Sequence, residues 1–363
     1  MIRVLQVVGK MHYGGMETLI MNIYRNIDRE KVQFDFLVHY EEPGEYDDEI
    51  KSLGGRIFVM PKTSPQNYIK CKKAYYKFFK EHHDYKKVHV HLHNMAFLIF
   101  PEAKKFDISC VIHIHNTGVE KNLKGYLGWY CTRKAVPKAD TVFTCSEESA
   151  QFFIPPRCNK EYKVIKNGIS AENFLFKKEI REQVRQELGL EEKFILLCAA
   201  RFAIQKNHDC LVDIINELQR YDENIKLLLV GKGPLEEKIR EKVKRLHLEE
   251  KVEFLGARGD VNKLMQAADC YIMPSLWEGL PVVFVEAQAA GLKVYTSEEV
   301  LSKEASITDL IEGISLSDDA KKWARKIYLQ KNYERKNQSD ALRKSGFDIK
   351  VTAKFLEEFY EEL

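Results

Sequence analysis

Short apolar runs alternate along most of the chain with longer stretches in which apolar residues recur every three or four positions. This alternation is typical of parallel strands joined by helices that cover both faces of a sheet. We therefore predict the α/β class with two doubly wound parallel sheets. The predicted strands of the front half are 2–9, 34–39, 56–59, 88–93, 110–115, 141–145 and 163–166, and those of the back half are 194–200, 225–230, 252–255, 270–273 and 293–295.

The joint between the two sheets is predicted around Asn167-Gly168-Ile169-Ser170. This gives a Rossmann-like domain over residues 1–168 and a second one over residues 169–346. The segment from Val351 to Leu363 has the apolar spacing of a terminal amphipathic helix. Ligands of doubly wound folds bind beyond the carboxyl ends of the strands, so the residues that follow each strand are the candidates for function.

The 363-residue length and the 45% hydrophobic content allow two packed cores and exclude a mainly disordered chain. The apolar runs are too short to cross a bilayer, so we expect a cytoplasmic protein, soluble or peripheral on the inner face of the membrane. Eight cysteines show no Cys-x-x-Cys spacing, and this indicates neither disulfides nor zinc.

The net charge of +3 is divided unevenly between the halves. Residues 1–168 carry a formal charge of +7, and residues 169–363 carry −4. A basic front half and an acidic back half suggest two different ligands. We predict no nucleic acid among them.

The segment 275–291 is the most informative stretch, because it places Glu278 in a glycine-proline loop and Glu286 in an almost wholly apolar helix. Pro281 suits the first turn of that helix. A buried carboxylate needs donors, and two neighbouring ribose hydroxyls would satisfy both oxygens of Glu286. The amides at the helix start would face an anion. The segment therefore predicts a nucleotide-sugar pocket.

Two cations, Arg201 and Lys206, follow the strand 194–200, and Asn207 stands where it could cap the next helix. Together the cations can neutralise a diphosphate leaving group, a role that a metal plays in other transferases. Since the chain contains no Asp-x-Asp, we expect no metal and no other cofactor. The alternative is a solvated loop with two ordinary surface cations.

Two glycine pairs also follow strands. Gly14-Gly15 opens a helix after the first strand, where glycine permits close approach to a phosphate or sugar, although a plain tight turn is equally consistent. Gly231-Lys-Gly233 follows the strand 225–230 and resembles half of a dinucleotide fingerprint without its third glycine. We interpret it as a turn that also lines the nucleotide pocket.

Histidines alternate along two strands. His89, His91 and His93 are predicted to point to one face of their strand, and His113 and His115 repeat the pattern at the end of the next. A metal site is a weak alternative, because no carboxylate or cysteine accompanies the histidines. His115 is best placed to bond a sugar hydroxyl, and packing explains the others.

The stretch Tyr68–Lys80 predicts a basic, aromatic helix in the positive half. It could rest on an anionic membrane surface, and Trp129, Tyr130, Arg133 and Lys134 could extend the patch. The alternative is a surface helix with one packed face and its lysines in water.

These motifs together resemble the retaining glycosyltransferases of family 4, which have the GT-B fold. The resemblance covers nearly the whole chain. It is carried by the two glutamates of 278–286, Arg201 with Lys206, the Gly14-Gly15 loop with Glu17, His115-Asn116, Ser146-Glu147 and Asn167-Gly168-Ile169. The run from Gly259 to Gly291 is most similar to exopolysaccharide and capsule-type members.

The resemblance implies that the back domain binds a nucleotide-sugar donor, that the front domain binds the acceptor, and that the reaction takes place in the cleft between two facing domains. A final helix, 347–363, would cross back to the front domain. The residues implied for catalysis are Arg201, Lys206, Glu278 and His115, and those implied for donor binding are Gly14, Gly15, Gly231, Gly233, Arg258, Ser275, Gly279, Leu280 and Glu286.

We therefore expect an enzyme that moves a sugar to a hydroxyl of a saccharide, lipid-linked in an exopolysaccharide or capsule pathway, with retention of configuration. A nucleotide-sugar epimerase or a phosphorylase on the same architecture is the enzymatic alternative. A non-catalytic binding subunit of a transferase complex is the non-enzymatic alternative. The donor sugar and base, the acceptor, the linkage and the oligomeric state are left open.

Overall fold

The computed structural model describes residues 1–62, 65–119 and 122–362. It divides into two compact units, one made of Met1–Ile169 with Phe347–Leu363 and the other of Ser170–Gly346. Each unit is a parallel sheet with helices on both faces, so the predicted α/β class is confirmed.

The first unit contains a seven-stranded sheet in the order β3-β2-β1-β4-β5-β6-β7. Its strands are β1 (Ile2–Val7), β2 (Val32–Val38), β3 (Ile57–Val59), β4 (Lys87–Val90), β5 (Ser109–Ile114), β6 (Thr141–Thr144) and β7 (Lys163–Val164). Every pairing is parallel. The chain leaves β1 toward one edge and returns at β4, so the switch of direction lies between β1 and β4.

The helices of the first unit are α1 (Gly15–Asn26), α2 (Asp47–Ser52), α3 (Tyr68–Glu81), α4 (Ala96–Ala103), α5 (Leu123–Ala135), α6 (Glu147–Phe153) and, at the end of the chain, α15 (Ile349–Glu361). α1 is amphipathic and buries Leu19, Ile20 and Ile23 against the sheet. Both faces of β1 and β2 are covered, which is why apolar residues occur on both faces of these strands.

The second unit contains a six-stranded parallel sheet in the order β10-β9-β8-β11-β12-β13. Its strands are β8 (Phe194–Ala199), β9 (Ile225–Val230), β10 (Val252–Gly256), β11 (Cys270–Met273), β12 (Lys293–Ser297) and β13 (Ile311–Ile314). Its helices are α7 (Ala171–Phe174), α8 (Lys178–Leu188), α9 (His208–Leu218), α10 (Glu236–Arg245), α11 (Val261–Ala267), α12 (Val282–Ala289), α13 (Ala320–Leu329) and α14 (Ser339–Ser345). The switch of direction lies between β8 and β11.

The helix at the end of the chain belongs to the first unit. α15 packs its apolar residues Ala353, Leu356 and Tyr360 into the core beside β1 and β2. Lys87 of β4 donates hydrogen bonds to the carbonyl oxygens of Phe359, at 2.5 Å, and Glu362, at 2.8 Å. A cation at the C-terminal end of a helix stabilises its free carbonyl groups, so Lys87 fixes the end of α15.

α3 has one packed and one charged face. Cys71, Tyr75, Phe78 and Phe79 are buried, while its lysines are exposed. This amphipathic pattern is consistent both with a membrane-facing helix and with an ordinary surface helix. Among the residues that the structure describes, no helix is long and apolar enough to span a membrane.

Candidate active site

The predicted donor-site residues of the second unit collect around the switch between β8 and β11. Arg201 and Lys206 follow β8, while Ser275 and Glu278 follow β11. The loops after these strands diverge, which is how a doubly wound sheet opens a crevice for a ligand. The topology therefore brings two segments about seventy residues apart in sequence to one end of the sheet.

Lys206 and Glu278 form an ion pair between these loops. Lys206 Nζ donates to Glu278 Oε1 at 2.6 Å, and the two side chains are only 19% and 6% exposed. Gln205 donates from Nε2 to Glu278 Oε2 at 3.2 Å and to the Trp277 carbonyl oxygen at 2.8 Å. Charge-assisted hydrogen bonds in a partly buried setting hold both partners in one orientation, so the ion pair links the two loops firmly.

Arg201 is exposed and stands five positions before Lys206 in the segment that follows β8. Its guanidinium makes no hydrogen bond or ion pair with residues 1–62, 65–119 or 122–362. Since a guanidinium presents five donors in a rigid fork, Arg201 is available for a phosphate or carboxylate ligand.

Asn207 does not cap α9 as predicted. It occupies the N-cap position, but its backbone is left-handed, with φ 52° and ψ 44°, and its side chain makes no capping hydrogen bond. Residues Ile204–Lys206 form a tight 3₁₀ turn, and Asn207 reverses the chain after it. Asparagine tolerates this conformation better than most residues, so its contribution here is to the turn.

α12 begins at Val282, and Pro281 is its N-cap residue, one position before the predicted first turn. Phe284 and Val285 are buried, so the predicted buried helix is largely observed. The amides of Gly279 and Leu280 donate no backbone hydrogen bond within the described parts of the chain. Free amides ahead of a helix start form a site suited to an anion.

Glu286 lies in the second turn of α12 and is partly accessible to solvent, although protein surrounds most of its carboxyl group. Burial raises the pKa of this carboxyl to about 7. Its carboxyl oxygens accept no hydrogen bond from any residue that the structure describes. An unpartnered carboxyl whose pKa is raised by burial is suited to a ligand with hydroxyl donors.

Gly231 and Gly233 have a structural role that spacing alone left open. Gly231 has φ of +138°, and a Cβ there would lie 2.2 Å from the Ala200 carbonyl oxygen. A Cβ at Gly233 would lie 2.4 Å from the Phe202 carbonyl oxygen. The two glycines thus let the loop after β9 pack directly on the loop that carries Arg201.

Two further predicted donor residues are already engaged within the protein. Ser275 is completely buried, and its carbonyl oxygen accepts from the Ser297 hydroxyl. Arg258 forms a two-pronged ion pair with Asp260, at 2.7 and 2.6 Å, which raises the pKa of the guanidinium. A ligand that contacts Arg258 would therefore contact a guanidinium that already has Asp260 as its counter-ion.

In the first unit, Gly14 and Gly15 form the start of α1 after β1. A Cβ at Gly14 would lie 2.4 Å from Glu17 Oε2, so glycine leaves room for this buried carboxylate. Burial raises the pKa of Glu17, and His12, whose Nδ1 lies 3.7 Å from Glu17 Oε1, opposes that shift. The predicted contact of this loop with a phosphate or sugar stays a prediction.

His115 directly follows β5 at the carboxyl end of the same sheet. Its Nε2 lies 2.8 Å from His91 Nδ1, while its Nδ1 is buried and meets no hydrogen-bond partner in the described chain. Burial holds the pKa of His115 well below its usual value, and neighbouring histidines add to that effect. His115 is therefore neutral in the free protein.

The other histidines form a stacked array in the core, although His93 is not part of it. His89 and His91 stack with ring centroids 4.3 Å apart, and His113 lies 4.0 Å from His115. The prediction that His93 shares their face is wrong, because β4 ends at Val90 and His93 begins a 3₁₀ turn. His93 Nδ1 instead bonds the Thr132 hydroxyl at 2.8 Å.

Three members of the array approach the spacing of a metal site. One ligand atom each from His89, His91 and His113 falls within 4.8 Å of the others. Both ring nitrogens of His91, however, already bond within the protein, to His115 and to Gln6 Oε1 at 2.9 Å. A bound cation would have to displace one of these partners, so the array does not fit a three-histidine metal site as it stands.

Known proteins resemble the chain over most of its length. Residues 13–173 match the family described as Glycosyltransferase Family 4, and residues 180–345 match Glycosyl transferases group 1. The putative glycosyltransferase EpsF of Bacillus subtilis (strain 168) is 34% identical over 332 residues, which span 90% of this chain and 86% of EpsF. The chain belongs to glycosyltransferase family 4.

Two further comparisons are informative. An Escherichia coli protein named UDP-Gal:alpha-D-GlcNAc-diphosphoundecaprenol alpha-1,3-galactosyltransferase is 26% identical over 286 residues, which span 73% of this chain and 72% of that protein. The crystal structure of Anabaena HepE in complex with UDP aligns over 100% of both chains with a TM-score of 0.78 and 18% identity. This likeness establishes the GT-B fold of the glycosyltransferase.

Sequence reasoning missed several polar residues that support this glycosyltransferase's candidate site. Gln205 is next to a predicted residue, and its polar side chain at a strand end was a usable signal. Asp260 stands two positions after Arg258, a spacing that could have suggested the ion pair. Gln6 and Tyr360 gave no local signal, because they lie in apolar segments at opposite ends of the chain.

Proposed function

We propose that this family-4 glycosyltransferase moves a sugar from a nucleotide diphosphate sugar to a hydroxyl of a lipid-linked saccharide, with retention of configuration, in the synthesis of an exopolysaccharide or capsule. The Lys206–Glu278 ion pair beside the unpartnered Arg201 and Glu286 carries this proposal. The names of relatives support the substrate classes: the Escherichia coli relative uses UDP-Gal and a diphosphoundecaprenol-linked sugar, and HepE was crystallised with UDP.

The donor occupies the crevice at the carboxyl ends of β8 and β11. Arg201 and Lys206 bind its diphosphate, and the amides of Gly279 and Leu280 bind a phosphate or sugar oxygen at the start of α12. Glu286 accepts hydrogen bonds from the ribose hydroxyls. The ribose hydroxyls of this ligand donate hydrogen bonds to the Glu286 carboxyl. Its diphosphate supplies negative charge for the Arg201 guanidinium.

The loops after β9 and β10 complete the donor site. Gly231 and Gly233 place backbone rather than side chains beside the nucleotide, while Ser275 stabilises the loop that carries Glu278 from within. Arg258, held by Asp260, lies on the base side. In the first unit, Gly14 and Gly15 are proposed to contact a phosphate or sugar, and His115 is proposed to contact a sugar or acceptor hydroxyl.

Charge stabilisation and same-face attack account for the chemistry. As the bond between the sugar and the diphosphate breaks, Lys206 and Arg201 stabilise the growing charge on the leaving oxygens. Glu278 holds Lys206 in one orientation, because its carboxylate accepts a hydrogen bond from the ammonium group. The departing phosphate accepts the proton of the attacking hydroxyl from the same face, which gives retention. Since two cations supply the charge, the reaction proceeds without a metal.

The basic helix α3 provides the contact with the membrane that holds a lipid-linked acceptor. Helices α3 and α5 both pack on α4. On α5, Leu123, Tyr126, Leu127 and Tyr130 are all more than half exposed at helical spacing. Lysines beside an exposed apolar and aromatic stripe suit an anionic lipid surface. In this proposal the enzyme works at the inner, cytoplasmic face of the membrane.

A thermal-shift screen with UDP, GDP and ADP sugars tests the donor site. A ligand that binds only the folded protein raises its melting temperature, and we expect one nucleotide class to do so. Arg201→Ala should abolish the shift, whereas Arg245→Ala, at an exposed arginine on α10, should not. Equal shifts for wild type and Arg201→Ala would contradict the assignment.

Incubating the protein with the responding donor alone distinguishes the alternatives. An epimerase converts the donor without an acceptor, whereas a transferase releases sugar onto an acceptor such as a diphosphoundecaprenol-linked saccharide. A binding subunit binds but converts nothing under either condition. We expect acceptor-dependent release of the nucleoside diphosphate.

A further inference from the structure

The strands β8 and β11 separate before β8 ends. β8 pairs with β9 as far as Ala199, whereas its last pair with β11 joins Leu197 to Tyr271. The Ala200 amide donates to the Val230 carbonyl oxygen of β9 at 2.8 Å. Because the backbone groups of successive residues in a strand point to opposite sides, those of Ala199 face the side of β11, beyond the last residue pair of the two strands.

The side chain of Tyr271 fills the gap that the separating strands leave. Its hydroxyl oxygen lies 3.0 Å from the Ala199 carbonyl oxygen and 3.3 Å from the Ala199 amide nitrogen. A carbonyl oxygen only accepts and an amide N–H only donates, so the hydroxyl donates to the first and accepts from the second. Met273 Sδ, at 3.8 Å, is a weaker acceptor for the same proton. A side chain of β11 thus makes the two bonds to β8 that a strand backbone makes elsewhere in the sheet.

Tyr271 is enclosed between the end of β8 and the helix α12. It is completely buried, and its ring lies edge-on to that of Phe284 in α12, with centroids 6.1 Å apart and planes at 70°. Burial raises the pKa of the Tyr271 phenol well above its usual value, and Cys198, Glu286 and Glu278 add to that effect. The phenol therefore keeps its proton, and its role as a donor does not change with pH.

We propose that Tyr271 is a positioning residue that holds the end of β8 in the split between β8 and β11 and thereby places Arg201 for the diphosphate of the donor. Arg201 is the second residue after Ala199, and its guanidinium has no partner in the described chain. Its location therefore depends on the backbone from which it extends. The hold on β8 stands apart from the proposed function, whereas its effect on donor binding rests on that function.

Tyr271→Phe removes the hydroxyl alone. Phenylalanine keeps the ring and its contact with Phe284, but the Ala199 amide and carbonyl oxygen lose the partner that the hydroxyl gives them. Since an unsatisfied backbone group is costly, the strand end must shift or admit water. Either change loosens the segment that carries Arg201, while the pairing with β9 keeps the strand in its sheet.

Tyr295→Phe is the matched control. Tyr295 lies on β12, the strand beside β11, and is 1% exposed. Its buried hydroxyl meets no hydrogen-bond partner in the part of the chain that the structure describes. The control therefore deletes a buried phenol hydroxyl of the same unit without deleting a hydrogen bond. Melting temperatures of both variants show whether each is folded at the assay temperature.

Amide hydrogen exchange, followed by ¹H–¹⁵N NMR without ligand, measures the hold on β8. The Leu228 amide, in the middle of β9, reports opening of the whole unit. Relative to Leu228, we expect the Ala199 amide to exchange about tenfold faster in Tyr271→Phe than in the wild type, and at the wild-type rate in Tyr295→Phe. No change at Ala199, or equal changes at Ala199 and Leu228, would overturn the proposal.

Nucleotide affinity measures whether this hold places Arg201. Calorimetry with the nucleoside diphosphate of the responding donor should give a dissociation constant about tenfold higher for Tyr271→Phe than for the wild type or Tyr295→Phe. In an Arg201→Lys background the same change should weaken binding by less than about threefold, because a flexible lysine depends less on where the strand ends. Equal losses in the two backgrounds would overturn the role of Tyr271 in placing Arg201.

Failure of the proposed function would look different. A wild-type protein that binds no nucleoside diphosphate would contradict the donor site, while the exchange rates would still decide whether Tyr271 holds the end of β8. Wild-type affinity in Tyr271→Phe, together with faster exchange at Ala199, would overturn the placing of Arg201 and leave the donor site standing.

Discussion

Lys206 Nζ lies 2.6 Å from Glu278 Oε1, although the two residues come from loops that follow different strands. The pair is mostly buried, and Gln205 holds the second carboxylate oxygen. An ammonium in this position costs desolvation energy that its counter-ion offsets, so the protein keeps a charged group in place before any ligand arrives. Preorganised charge of this kind stabilises a developing diphosphate without reorganisation.

Lys206→Met should lower kcat by about 10²- to 10³-fold, because it removes one charge from the leaving-group site while it keeps the length of the side chain. Steady-state turnover with the responding donor measures this. Lys238→Met, at an exposed lysine on α10, is the control and should retain full activity.

A double-mutant cycle with Glu278→Gln tests the role assigned to the ion pair. The single variants should each lose most activity, and the combined loss should be much smaller than their product, because both changes disable one unit. Multiplicative losses would show that Glu278 acts independently of Lys206, through the donor sugar alone.

Nucleotide affinity should depend on pH through Glu286. Burial raises the pKa of this carboxyl from 4.5 to about 7, so it is ionised above that pH and increasingly protonated below it. If the carboxylate accepts both ribose hydroxyls, affinity should fall as pH drops through about 7, by at most about tenfold per unit. Titration calorimetry of the nucleoside diphosphate between pH 5.5 and 8.5 measures this.

Glu286→Gln supplies the comparison for that titration. The amide has no proton to gain in this range, so the variant should bind weakly with a flatter pH profile. Glu237→Gln, at an exposed residue of α10, should keep the wild-type profile. An unaltered slope in Glu286→Gln would assign the titration to the nucleotide phosphate or to another group.

The presence of two parallel sheets could be predicted from the sequence, because strands buried on both faces are short apolar runs. The order of the strands could not. The strand β13 escaped this reasoning, because Ile311-Glu-Gly-Ile314 is short and interrupted by a charge and a glycine. It lies at the edge of its sheet beside β12, and three of its four residues are only partly buried.

Candidate site residues could be predicted from the sequence where a charged residue follows a strand. They could not be predicted where the local backbone conformation determines the direction of a side chain. Arg201, Lys206 and Glu278 are charged residues after strands, a signal that composition and order reveal. The left-handed backbone of Asn207 and the departure of His93 from the array depend on where a strand ends and a tight turn begins, which spacing does not fix. The link from Gln6 to Tyr360 depends on contacts between the two ends of the chain.

Gly231→Ala should destabilise the second unit strongly. The residue has φ of +138°, and the new Cβ would lie 2.2 Å from the Ala200 carbonyl oxygen, which is backbone and cannot step aside. We expect a loss of about 3 kcal/mol in the free energy of unfolding and weaker nucleotide binding, since the displaced loop carries Arg201. Urea denaturation followed by circular dichroism measures the stability.

Gly189→Ala separates the two causes of that loss. Gly189 also has a left-handed backbone, with φ of +64°, but open space surrounds the position of its Cβ. Only the conformational cost of about 1 kcal/mol should appear there, with nucleotide binding unchanged. Equal losses at the two positions would show that the contact with Ala200 relaxes at no cost.

Membrane binding should depend on the exposed lysines of α3 rather than on net charge. Changing Lys72, Lys73, Lys77 and Lys80 to glutamate reverses the charge of one surface. We expect pelleting with liposomes that contain anionic lipid to fall by at least tenfold, since each basic residue near such a surface contributes about 1 kcal/mol.

The control changes four exposed lysines of the second unit to glutamate, namely Lys238, Lys244, Lys263 and Lys321. Both proteins carry the same net charge, so a difference between them identifies α3 as the surface that meets the lipid. Equal pelleting would favour the interpretation of α3 as an ordinary surface helix.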